Sequence, residues 1–221
     1  MNKKTLRVLY FTIGSFLALF LFTILVKFLN VKAIGPNGSE VGLAFLNKPF
    51  MIKYNELFDK GSDLLLLISG IILLSLAFLG LCQYIFRGKL TKVDKGLLSI
   101  PFTILLTILF IVLFEIVIIN YRPIIIDGNL EASYPSTHTT LIFTILLITI
   151  PVFISYARNM YEKVAIFSLY LVIAILAIVF RMLSGVHYLT DVIGGLLLAI
   201  SMGSCNKLII LGLNHFIKDV N

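Results

Sequence analysis

Three short segments carry the residues able to do chemistry. Arg122 precedes Pro123; Pro135, Ser136, Thr137 and His138 form a second group; Arg181, His187 and Asp191 form a third. One His at a helix end is usually a packing residue. Two Arg, two His and an Asp in three distant places on one membrane face need a stronger reason, because each charge that strays into hydrocarbon costs a few kcal/mol. The chemistry they suit is phosphoryl transfer, in which positioning and charge stabilisation do nearly all the work. His187 and Asp191 are four apart. On a helix starting near Val186 they share a face, so the carboxylate can hold one ring nitrogen and leave the other to attack phosphorus. Arg122 and Arg181 offer forked donors matched to phosphate oxygens. Pro135 reads as a first-turn proline, beside which free helix N–H groups face an anion. Ser136 adds a hydroxyl donor, and His138, a few residues further in, is placed to protonate a leaving oxygen.

The elements that hold these residues are set by composition. The chain of 221 residues is 59% hydrophobic and 13% charged, with mean hydropathy +1.05. Soluble domains have roughly 45–50% apolar and about 25% charged residues. Intrinsic disorder is excluded by the same figures. Six apolar runs, 8–28, 64–86, 97–119, 139–156, 164–180 and 192–213, have the roughly 17–25 residues that cross a bilayer as helices. An all-α membrane bundle of six spans in one domain, 1–221, follows. The net charge of +7 is dispersed between the spans and forms no stripe suited to nucleic acid. Lys3, Lys4 and Arg7, then Arg87, Lys89, Lys92 and Lys95, then Arg158 and Lys163 fall on one side, which the positive-inside rule makes cytoplasmic. Both termini are then inside, and the three chemical segments are outside. The first span is too long for a signal peptide and is read as an anchor. The outer loop 30–63 opens with a Gly35-Pro36-Asn37-Gly38 turn. From Leu43 to Leu57 it forms either a short interfacial helix or an ordered loop packed over the bundle. Cys82 and Cys205 lie in apolar runs as packing residues. No His, Asp or Glu cluster has ligand spacing, so no metal or cofactor is expected.

The motifs R-P (Arg122, Pro123), P-S-x-H (Pro135, Ser136, His138) and R-x5-H-x3-D (Arg181, His187, Asp191) resemble, in order and spacing, the signature of the type 2 phosphatidic acid phosphatases. The likeness is to the bacterial integral-membrane lipid phosphatases of that family. It implies a metal-independent phosphohistidine mechanism with His187 as nucleophile, Asp191 as its partner and His138 as general acid. Arg122, Ser136 and Arg181 are then phosphate ligands, with the Thr137 N–H beside them. Three positions depart from the family pattern: Glu115 replaces a phosphate-binding lysine, Thr137 a glycine and Phe180 a serine. Glu115 either faces the phosphate or braces Arg122 or Arg181. The expected activity is removal of a terminal phosphate from a lipid phosphate or pyrophosphate that arrives laterally in the cell membrane. Undecaprenyl pyrophosphate, phosphatidylglycerophosphate and phosphatidic acid all fit. A lipid phosphotransferase with the same site, or a non-catalytic lipid-binding or transport protein, are the alternatives.

Overall fold

Helix ends in this chain are set by capping side chains. Asn2 accepts from the Thr5 N–H to start α1 (Lys3–Phe28), and Asn55 accepts from Leu57 and Phe58 to start α3 (Glu56–Arg87). Ser136 and Asn159 do the same for α5 (Thr137–Tyr156) and α6 (Met160–Leu183). Gly88, at φ +70°, closes α3 in the left-handed conformation that glycine adopts without strain. A single-turn α2 (Ala44–Asn47), α4 (Lys95–Ile116) and α7 (Leu189–Val220) complete the computed structural model. It describes residues 2–125 and 128–220, with side chains to 216.

Six of these helices, α1 and α3 to α7, are long and apolar enough to span a membrane. α5 and α7 form the inner pair and the other four wrap them. Leu198, Ala199 and Met202 of α7 are fully buried, whereas α1, α3, α4 and α6 turn Phe20, Leu74, Phe102 and Phe167 outward. Such an apolar exterior faces lipid, and the helices associate through packing and interhelical hydrogen bonds. Ser15 meets Ser204 at 3.3 Å, Thr103 donates to Asn206 at 2.8 Å and Thr149 meets Tyr170 at 3.0 Å. At the end opposite the chemical segments, Asp94 accepts from Gln83 at 2.8 Å, from Arg87 at 2.9 Å and from Tyr156. These bonds tie α3, α4 and α5 together.

The helices differ from the apolar runs in informative ways. α3 begins at Glu56 instead of residue 64, because Asn55 caps it and Glu56 and Asp59 complement its positive end. The loop that opens at 30 therefore ends near 55 and not at 63. α4 stops at Ile116 instead of 119, and α7 runs on through His215. Between 43 and 55 the chain holds only the single turn of α2 and a 3-10 turn at Lys48–Phe50, packed down as far as Asn47 and exposed from Lys48 onward. Val41, Leu43, Ala44 and Asn47 are buried there, and Asn47 holds the Gly42 carbonyl and the Thr190 hydroxyl.

Candidate active site

At one end of the bundle α4 and α6 finish while α3, α5 and α7 begin, and the three chemical segments meet there. The connection after α4 folds back on itself. Arg122 N–H donates to the Glu131 carbonyl at 3.0 Å and Ser133 N–H to the Asn120 carbonyl at 2.9 Å. This pairing sets Arg122 beside Glu131, whose carboxylate lies 3.3 Å from Nε. It also delivers Ser133 and Asn120 to the start of α7. The Ser136 N–H donates to the Asp191 carbonyl at 2.9 Å, joining the starts of α5 and α7 directly. Ser136 is the N-cap of α5, so Pro135 precedes the helix and is not in its first turn. The Ser136 oxygen accepts from the Thr139 backbone and hydroxyl, leaving its own proton to donate. Thr137 follows as the first helical residue, where the backbone N–H has no intrahelical acceptor.

His187 lies in the turn between α6 and α7, just ahead of the helix and not on its face as the four-residue spacing suggested. The turn depends on Gly185, at φ +71°, where an added Cβ would sit 2.6 Å from the Ile52 carbonyl oxygen. Arg181 donates through Nη2 to His187 Nε2 at 2.8 Å. A guanidinium can only donate, so Nε2 carries the lone pair and Nδ1 carries the proton. Nδ1 meets Ser133 Oγ at 2.9 Å, and Ser133 donates onward to the Asp191 carboxylate. Asp191 therefore reaches His187 chiefly through Ser133, its direct distance to Nδ1 being 3.5 Å. Asp191 is also held by the Tyr188 N–H at 2.9 Å and Asn120 at 3.4 Å. The first of these bonds is a reach-back of the capping-box kind that starts α7. Burial, followed by the charges of Arg181, Arg122 and His138, holds His187 well below the ordinary histidine range.

The remaining residues are paired with carboxylates. Arg181 Nη1 contacts Asp59 Oδ1 at 2.8 Å, and His138 Nε2 contacts Asp63 Oδ1 at 2.8 Å. Asp59 and Asp63 come from the first two turns of α3, which the apolar run did not include. The usable signal was Asn55 followed by Glu56 and Asp59, a cap and an acidic first turn. Ser133 carried no such signal. Glu115 braces neither arginine: it is exposed near the end of α4, while the ion pairs of Arg122 and Arg181 are with Glu131 and Asp59. Phe180, where a serine was expected, packs its ring on Phe58 at a centroid distance of 5.7 Å. Among the described residues no group of three His, Cys, Asp or Glu could hold a metal ion.

The chain is similar to known proteins in its central segment and in its fold. Residues 117–210 match the PAP2 superfamily model, and this segment carries Arg122, Ser136, His138, Arg181, His187 and Asp191. A transmembrane PAP2 type phosphatidylglycerolphosphate phosphatase from Bacillus subtilis has a similar structure at TM-score 0.58 and 17% identity. The likeness covers 96% of this chain and 98% of that one. LpxE from Aquifex aeolicus is 23% identical at TM-score 0.42, over 74% of this chain and 91% of that one. No curated sequence matches the chain.

Proposed function

We propose that this chain, PAP2-type in its fold and its central segment, is a membrane phosphatase that removes the terminal phosphate of a lipid phosphate or pyrophosphate through a phosphohistidine. The observation that carries this reading is His187, whose proton is committed to Ser133 at Nδ1 and whose Nε2 lone pair lies 2.8 Å from Arg181. An anion bound by Arg181 places phosphorus within reach of that lone pair. Arg122, the Ser136 hydroxyl and the first free N–H groups of α5 complete its oxygen ligands. Nε2 attacks phosphorus as the ester bond breaks, and His138 gives its proton to the leaving oxygen. Water then attacks the phosphohistidine as its proton passes to His138, the N–P bond breaks, and phosphate, free His187 and protonated His138 are restored.

The apolar outer faces of α1, α3, α4 and α6 support a substrate that stays anchored in the bilayer. Basic residues Arg87, Lys89, Lys92 and Lys95 cluster between α3 and α4, and Arg158 and Lys163 flank the α5–α6 turn. This asymmetry supports both termini inside and the site on the outer face of the cell membrane. The experiment is phosphate release from a panel of lipid phosphates by the purified protein in detergent, beside His187→Ala. Release that requires His187 supports the reading. Wild-type-like release by His187→Ala, with the variant folded, overturns it.

A further inference from the structure

Asp63 contacts the proposed acid, and the fold goes to some length to place it. Its Oδ1 lies 2.8 Å from His138 Nε2, and among the described residues His138 Nδ1 has no protein partner. The contact comes from a different helix, so its position depends on how α3 sits against α6. That seat is tight: a Cβ added at Gly61 would lie 2.8 Å from the Phe180 ring, and Phe58 packs on the same ring. Phe180 immediately precedes Arg181. The α3–α6 contact therefore fixes Asp59 on Arg181 and, one helical turn further, Asp63 on His138. Both residues lie within the helix that extends beyond the apolar run.

We propose that Asp63 is a positioning residue that orients His138 through Nε2 and leaves Nδ1–H to protonate an alcohol leaving group, making the preferred substrate a lipid phosphomonoester and not a lipid pyrophosphate. This rests on the phosphatase reading above. In the step, the His187 Nε2–P bond forms as the P–O bond to the lipid alcohol breaks. The electron pair goes to the ester oxygen, which takes the proton from His138 and departs as the neutral alcohol. An alkoxide is far more basic than imidazole, so this departure depends on the proton. A phosphate leaving from a pyrophosphate, or a nitrophenolate, departs without one. The rim points the same way. Asp59, Asp63 and Glu131 surround the cations, with Asp63 and Glu131 side chains 62% and 43% exposed. A second phosphate on the leaving side would meet this negative charge, whereas a glycerol or prenyl alcohol would not.

The test compares wild type and Asp63→Asn, purified in detergent, on dioctanoyl phosphatidic acid, farnesyl pyrophosphate and p-nitrophenyl phosphate. Wild type should turn over phosphatidic acid faster than the pyrophosphate. Asp63→Asn should lose about 30–100-fold in kcat on phosphatidic acid, within the range of general acid catalysis, and less than about fivefold on p-nitrophenyl phosphate. The ratio of the two losses is insensitive to the fraction of folded protein. Asp63→Glu should recover part of the phosphatidic acid activity. Equal losses on all three substrates mean a merely structural Asp63 and overturn the proposal. A gain in kcat, which would make Asp63 an obstruction, overturns it too. A wild-type preference for the pyrophosphate overturns the substrate class. No His187-dependent release from any of the three overturns the phosphatase reading and this inference with it.

Discussion

Ser133→Ala is the sharpest perturbation the site offers, because it removes one oxygen and leaves both of its partners in place. Ser133 accepts from His187 Nδ1 at 2.9 Å and donates to Asp191, and all three side chains are buried. The direct gap between Nδ1 and the carboxylate is 3.5 Å, too long for a hydrogen bond. Removing the relay leaves the Nδ1 proton without an acceptor. Asp191 keeps its bonds from Tyr188 and Asn120, so the carboxylate is only partly stripped. A hydrogen bond to a charged group contributes about 1.5–3 kcal/mol, which corresponds to roughly 10–150-fold in rate when the imidazole is no longer held for attack. The assay is kcat on one lipid phosphate beside the thermal melting midpoint in detergent. Expected is a fall in kcat of that size with a stability loss of about 1–3 kcal/mol. A kcat within twofold of wild type at unchanged stability would refute the relay and show that Asp191 serves His187 without Ser133.

Four further outcomes are expected. The acid limb of kcat/KM governed by His187 should lie below the usual value near 6.5: attack needs the neutral ring, and burial with the charges of Arg181, Arg122 and His138 lowers its pKa, so the neutral form persists to lower pH. Gly185→Ala should destabilise the turn ahead of His187 and reduce turnover at least tenfold, since φ +71° strains an L residue and its Cβ would meet backbone atoms of 52 and 53 within 3 Å; a fully active variant would show the turn to be adaptable. Chelation with EDTA should leave the rate unchanged, and loss with rescue by a divalent ion would contradict the metal-free chemistry. A single Cys at exposed position Lys32, in a background lacking Cys82 and Cys205, should be labelled from outside intact cells; labelling only after permeabilisation would invert the orientation.

Local chemistry in the sequence went a long way towards the site. His187 and Asp191 could be read as partners because they stand four apart, although His187 lies ahead of α7 and not on its face, and Arg122, Ser136 and Arg181 could be read as phosphate donors from their side-chain types. The six spans were legible because lipid demands long apolar runs. What stayed hidden is tertiary. Ser133 sits between His187 and Asp191 only because residues 120–122 pair with 131–133, and no spacing rule encodes that. Asp59 and Asp63 precede the apolar run 64–86 and count as loop residues by hydropathy alone. Their meaning depended on α3 beginning earlier than its apolar run, which capping by Asn55 decides and hydropathy does not. The Phe180 ring reads as a lost hydroxyl in sequence and as the seat of α3 in structure.

The length of α3 also sets where reaction and search take place. Its 32 residues extend about 48 Å at about 1.5 Å per residue, against about 30 Å of hydrocarbon. Asp63 and Asp59 precede Leu64, where the apolar run begins, by one and five residues, or about 1.5 and 8 Å along the helix, a reach that matches the polar layer of roughly 5–8 Å on each side of the hydrocarbon. On the proposed function, the phosphate of a bilayer lipid lies at that height and needs no extraction to reach Arg181 and His187. Encounter is then a two-dimensional search. The rate should follow the mole fraction of substrate in the membrane and not its bulk concentration, so diluting a fixed amount of substrate with inert lipid would slow turnover while diluting the same vesicles with buffer would not.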